Sequence, residues 1–156
     1  GGLVARAMIA DGGAGAAAWR RMTAIAGSRL LMLGTPNRGS HEAVRWLTGF
    51  NPTQAKLILL DFTRGTNGVI DVVRRFPGVA ELLPFHEKPN PWASAASWRA
   101  LKKELGAGWT PVDEPVLREA QSTWSLLADA AIDPRHMVYV AGQQPATVVG
   151  HEIVDD

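Results

Sequence analysis

The apolar and polar positions in the first third of the chain predict two helices followed by a strand. In residues 3–10 the apolar side chains share one helical face and Arg6 lies on the opposite face. The glycine-rich residues 11–15 interrupt this helix, and residues 16–26 resume the helical spacing. Leu30–Leu33 is a continuous apolar run that ends in Gly-Thr-Pro-Asn. That profile is typical of a parallel strand buried on both faces.

The middle of the chain, from Ser40 onward, consists of short amphipathic segments separated by glycine and proline. No strand pattern occurs between them, so these residues predict a helical insertion. The predicted helices cover residues 42–48, 53–62, 69–76, 79–83 and 97–105. Residues 84–92 hold three prolines and predict a connector.

The last third predicts one long helix and a second strand. Asp113 is a suitable N-cap for a helix over residues 114–132, with Pro115 tolerated in its first turn. Residues 136–141 are β-branched and aromatic, as in a buried strand. Residues 147–154 alternate weakly and predict one arm of a hairpin that turns at Asp155 and Asp156. The order of elements predicts an α/β fold with core residues 1–39 and 113–156 and a helical cap over residues 40–112.

Composition excludes several classes of function. The 156 residues are 46% hydrophobic, enough to bury one core. The 16 basic and 15 acidic residues are scattered, so nucleic acid is not an expected partner. The absence of cysteine excludes thiolate metal sites and a cysteine nucleophile, and leaves both cytoplasmic and secreted locations open. No apolar run approaches the roughly 20 residues that cross a bilayer.

Two glycine-rich segments match nucleotide-binding motifs weakly. Residues 13–18 (GAGAAA) fit G-x-G-x-x-A, but that fingerprint needs a preceding strand, and the preceding segment predicts a helix. Residues 34–40 (GTPNRGS) keep the glycine spacing of a phosphate-binding loop but lack its lysine, and Pro36 removes a backbone N–H. A nucleotide-binding α/β domain therefore stays a minor alternative.

Four segments resemble, in the right order, the lipases and the lecithin:cholesterol acyltransferase-like α/β-hydrolases. They are residues 1–6 (GGLVAR), 31–40 (LMLGTPNRGS), 76–84 (FPGVAELLP) and 138–142 (VYVAG). The first is similar to the tail of the nucleophile elbow G-x-S-x-G-G-L-V-x-R. The resemblance implies a partial α/β-hydrolase fold, with a parallel sheet, flanking helices and a helical cap insertion.

The resemblance also implies which residues lie near the site. A serine nucleophile is expected two residues before Gly1, and the chain opens with neither a methionine nor a targeting pattern. Gly1 and Gly2 are then elbow-adjacent, where a Cβ is expected to collide with the neighbouring strand. Residues after the first strand are expected beside the pocket, because α/β sheets bind ligands at the carboxyl ends of their strands. These pocket-adjacent residues are Thr35, Asn37, Arg38, Ser40 and His41.

The implied activity is serine acyl transfer on a small-molecule or lipid-like ester, without metal or organic cofactor. Asp155 and Asp156 are candidates for the catalytic acid, but a hairpin turn is the favoured interpretation of both. None of His41, His86, His136 and His151 stands where the family places its base. We therefore expect the 156-residue chain to be inactive by itself and to need the remainder of its hydrolase domain as a partner.

Two alternatives to a catalytic role stay open at this point. One is a non-catalytic hydrolase-like module that serves binding or scaffolding, and the other is the nucleotide-binding α/β domain. Six tryptophans, several of them in the predicted cap, suit either an apolar substrate lining or ordinary core packing.

Overall fold

The computed structural model describes residues 1–60, 65–86, 89–106, 108–143, 145–148 and 150. More than half of the described residues are helical, and the strands are short. The helices are α1 (Gly2–Ala10), α2 (Gly13–Thr23), α3 (His41–Thr48), α4 (Pro52–Leu60), α5 (Gly65–Val73), α6 (Pro77–Glu81), α7 (Ala95–Glu104) and α8 (Glu114–Asp129), with a 3-10 turn at Pro91–Ala93. The strands are β1 (Leu30–Leu33) and β2 (Met137–Val140).

The predicted fold class, a partial α/β-hydrolase with a parallel sheet, is wrong. The described residues are mostly helical, and their sheet is a single parallel pair, β1 with β2. The sequence predicts that β1 is buried on both faces, yet Leu31 and Leu33 are 56% and 68% exposed, and only Met32 is buried. A short apolar run is compatible with a buried strand, but it does not establish that layers cover both of its faces.

The chain divides into two compact units. The first consists of Gly1–Asn37 and Ser122–Ala146, and the second of Arg38–Gln121 and Thr147–Asp156. In the first unit β1 and β2 pair from Leu30 opposite Met137 to Leu33 opposite Val140. The helices α1 and α2 approach closely at Gly15, where a Cβ would overlap the backbone carbonyl of Met8. The glycine- and alanine-rich stretch therefore serves close helix packing.

The second unit has a helical core. The helices α3 and α4 both contact α5. Its largest fully buried apolar side chains, among the described residues, include Leu47, Ile70, Leu83, Trp98 and Leu117. Aromatic rings continue this core, because the Trp98 ring lies 5.5 Å from Trp92 and 6.4 Å from Trp109 between centroids. All three tryptophans are buried, which favours core packing over substrate lining for them.

Sequence reasoning located most helices to within a few residues. The helix α3 begins after Ser40, whose side chain caps it, and ends at Gly49, whose φ of +86° suits only glycine. The long helix α8 ends at Asp129, three residues before the predicted end at 132. Residues 149 and 151–156, with the predicted hairpin turn at Asp155 and Asp156 and also His151, lie outside the described residues.

Candidate functional site

The start of α1 lies directly against the loop that follows β1. A Cβ built on Gly2 would overlap Thr35, lying 2.7 Å from its Cγ2, whereas a Cβ on Gly1 would meet nothing within 4 Å. Thr35 is buried, and Gly34 before it has a φ of +58° that turns the chain out of the strand. The last sheet hydrogen bond runs from Gly34 N to Val140 O, 2.8 Å. Gly2 and Thr35 therefore meet at the carboxyl end of a parallel strand.

Arg6 contacts the same loop from the next turn of α1. Its Nη1 donates to Asn37 Oδ1 at 3.0 Å, and its Nη2 donates to the carbonyl oxygen of Leu127 at 2.9 Å. Arg6 is only 8% exposed, whereas Val4 and Met8 are 63% and 54% exposed. The predicted apolar face of this helix is therefore partly turned outward, and its cation is turned inward.

The remaining predicted pocket residues belong to the second unit. Gly39 has a φ of +84°, and a Cβ there would overlap the carbonyl of Leu83. Ser40 N donates to Leu82 O at 2.7 Å, and Ser40 Oγ accepts from Glu42 N at 3.2 Å. The Ser40 hydroxyl is thus occupied as the cap of α3.

Arg38 and His41 are tied to the same unit through backbone and ring contacts. The Arg38 carbonyl accepts from Phe85 N at 3.3 Å and lies 3.1 Å from His86 Nδ1. The His41 ring meets the Trp92 ring edge-on, with centroids 6.3 Å apart. Of the five predicted pocket residues, Thr35 and Asn37 therefore share one compact unit, while Arg38, Ser40 and His41 share the other.

Among the described residues, Asp71 and Asp133 have lowered pKa values, and both have structural partners. The hydrogen bond to the His136 side chain lowers the pKa of Asp133, and His136 Nδ1 lies 2.8 Å from Asp133 Oδ2. The hydrogen bond from Arg74, together with one from Thr110, lowers the pKa of Asp71. A lowered pKa keeps each carboxyl ionised, which suits an ion pair rather than a proton donor.

Neither nucleotide-binding motif has the neighbouring elements that it needs to bind a nucleotide. The helix α2 begins at Gly13 and follows α1, so no strand precedes residues 13–18. Residues 34–40 divide between the two units after Asn37. Within the described ranges, no group of three His, Cys, Asp or Glu side chains is arranged to hold a metal ion.

No protein-family model, curated protein or solved structure matches this chain. In the part of the chain that the structure describes, no helix combines the length and apolar character needed to span a membrane. Function is therefore inferred from the residues and their geometry.

The residue that sequence reasoning missed is Arg6. It lies within the GGLVAR segment that carries the resemblance, but its helical position suggests a solvent-facing side chain. Its two hydrogen bonds span 31 and 121 residues of sequence, distances that local periodicity does not report. The described site of the first unit is thus formed by Gly2, Arg6, Thr35 and Asn37.

Proposed function

We propose that this chain forms part of a serine ester hydrolase of the lipase and acyltransferase kind. The observation that carries the proposal is the contact between Gly2 and Thr35 at the carboxyl end of β1. A serine nucleophile on a sharp strand-to-helix turn needs the backbone that follows it to pass close to a neighbouring strand, and only glycine permits that approach. The GGLVAR segment supplies the glycine at the required place.

The start of α1 also favours the proposed reaction electrostatically. The Gly1 carbonyl already accepts from Ala5 N at 3.0 Å, so the helix is formed from its first turn. The amides at the start of a helix lack partners within it, and the helix dipole is positive there. This end of α1 favours the negative charge that develops on an ester carbonyl oxygen during acyl transfer.

The proposed reaction has two steps, both centred on a serine two residues before Gly1. Its hydroxyl oxygen attacks the ester carbonyl, the alcohol leaves with a proton delivered by a histidine, and water then releases the acid from the acyl-serine. Within this scheme Gly2 permits the turn, and Thr35 and Asn37 border the pocket. The substrate is a small-molecule or lipid-like ester.

Fluorophosphonate labelling with peptide mapping tests the proposal. We expect the longer protein that contains this chain to be labelled at the serine two residues before Gly1, and we expect the 156-residue chain to be unlabelled and inactive on p-nitrophenyl esters. In the longer protein, Gly2→Ala is expected to slow labelling. Gly78→Ala, where a Cβ meets nothing within 4 Å, is the matched control that leaves the rate unchanged. A residue other than serine at that position, or turnover by the 156-residue chain, contradicts the proposal.

A further inference from the structure

Arg6 is a buried cation held by neutral acceptors. It is 8% exposed, and its guanidinium donates to the amide oxygen of Asn37 and to the carbonyl oxygen of Leu127. Within the described ranges, no carboxylate lies at ion-pair distance from it. Burying a charge that has no ion-pair partner costs free energy, so stability alone does not account for an arginine here.

The end of α8 explains how the buried charge is tolerated. Leu127 lies in the last turn of α8, which ends at Asp129, so its carbonyl has no donor within the helix. Arg6 supplies that donor and places a positive charge at the negative end of the helix dipole. This contact compensates part of the free-energy cost of removing the Arg6 guanidinium from water. It does not explain the hydrogen bond to Asn37.

The second contact connects α1 to the loop after β1. Gly2 and Arg6 are four residues apart and therefore lie on the same face of α1. They contact Thr35 and Asn37, which are themselves joined by a hydrogen bond from Asn37 N to Thr35 O, 2.8 Å. The loop is thus held to one helical face at two points, one by close packing and one by a hydrogen bond.

We propose that Arg6 is a positioning residue that fixes the loop of Thr35 and Asn37 beside the start of α1. The inference rests on the proposed function, in which this loop borders the ester next to the upstream serine. The planar guanidinium suits this role, since its fork of donors reaches two acceptors on different elements at once. A lysine has a single ammonium group and cannot reproduce this arrangement.

Hydrogen exchange on the 156-residue chain tests the positioning role without any activity. Asn37→Leu removes the acceptor and leaves the contact of Arg6 with Leu127, whereas Asn37→Asp keeps an acceptor. We expect Asn37→Leu to raise exchange at least tenfold at residues 34–37, with the end of α8 unchanged, and Asn37→Asp to restore protection. Arg6→Lys is expected to expose the same loop. Unchanged protection of residues 34–37 in either Asn37→Leu or Arg6→Lys overturns the inference.

Kinetics on the longer protein test the catalytic consequence. A misplacement of about 1 Å in a group that positions the substrate can cost about 100-fold in rate. We expect Asn37→Leu to lower kcat for a p-nitrophenyl ester by at least about tenfold with little change in KM, and Asn37→Asp to recover it. Leu117→Ala, a destabilising core change in the other unit, controls for stability and is expected to leave kcat per folded molecule unchanged.

The outcomes separate the two proposals. If the wild-type longer protein is neither labelled nor active, the proposed function fails, and the exchange experiment still decides whether Arg6 positions the loop. If the wild type is active and Asn37→Leu loses no more kcat than Leu117→Ala, the positioning role fails and the proposed function stands.

Discussion

The closeness of Gly2 to Thr35 makes Gly2→Ala the most direct test of the local geometry. A Cβ at this position lies under 3.0 Å from three side-chain atoms of Thr35, and Thr35 is buried and has little room to move. Overpacking of this kind costs about 1–3 kcal/mol. The φ of Gly2 is not in the left-handed region, so alanine fits the backbone there. Alanine also lowers the conformational entropy of the unfolded chain, which raises the free energy of unfolding by about 0.4–1 kcal/mol.

With both terms at the middle of their ranges, the net loss is about 1.3 kcal/mol. For a chain of 156 residues each kcal/mol shifts Tm by about 2–4 °C, so we expect Gly2→Ala to lower Tm by about 3–5 °C. Thermal unfolding followed by circular dichroism measures the shift. Gly78→Ala, which adds the same methyl group to open space within α6, is expected to hold or raise Tm.

A double-mutant cycle with Thr35→Ala assigns the loss to this contact. Thr35→Ala removes Oγ1 and Cγ2, two of the three atoms that the new Cβ would overlap. The loss in free energy of unfolding in the double variant is therefore expected to be smaller than the sum of the two single losses, by at least about 0.5 kcal/mol. Additive effects, or equal Tm shifts for Gly2→Ala and Gly78→Ala, would refute the reasoning.

Two further predictions concern a helix cap and a hydrogen bond between a carboxylate and a histidine. Ser40→Ala removes the acceptor for Glu42 N and is expected to cost about 1 kcal/mol in urea unfolding, whereas Ser40→Thr keeps most of that stability. Asp133→Asn removes a carboxylate whose pKa is lowered by its hydrogen bond to His136. Because a lowered folded-state pKa stabilises the protein above the unfolded value of about 3.9, the wild type should be more stable than Asp133→Asn at about pH 5. That advantage is expected to disappear as the pH falls towards about 2.

Each of these predictions has a distinct contrary result. Equal losses for Ser40→Ala and Ser40→Thr would show that the hydroxyl contributes nothing as a cap. A difference between wild type and Asp133→Asn that stays constant from about pH 5 to about pH 2 would show that the carboxylate has the same pKa in the folded and unfolded chain.

Local sequence determined where most of the elements lie. Capping by Ser40 and termination by Gly49 mark the ends of α3, and the apolar runs at Leu30–Leu33 and Met137–Val140 form strands. These features depend on neighbouring residues, through side-chain caps, backbone conformations and local periodicity. A Cβ on Gly2 would overlap Thr35 in the loop after β1, whereas a Cβ on Gly1 would meet nothing within 4 Å, and the elbow assigned to both glycines stays a prediction.

Tertiary structure alone decided what each face contacts. Periodicity places Arg6 opposite the apolar side chains of α1, but acceptors on Asn37 and Leu127 draw it inward and leave Val4 and Met8 exposed. The prediction of the fold class was wrong for the same reason. An apolar tetrapeptide indicates a strand, but pairing partners and covering layers are supplied by residues far away in sequence. In the described residues β1 pairs with β2, about a hundred residues later, and one of its faces stays exposed.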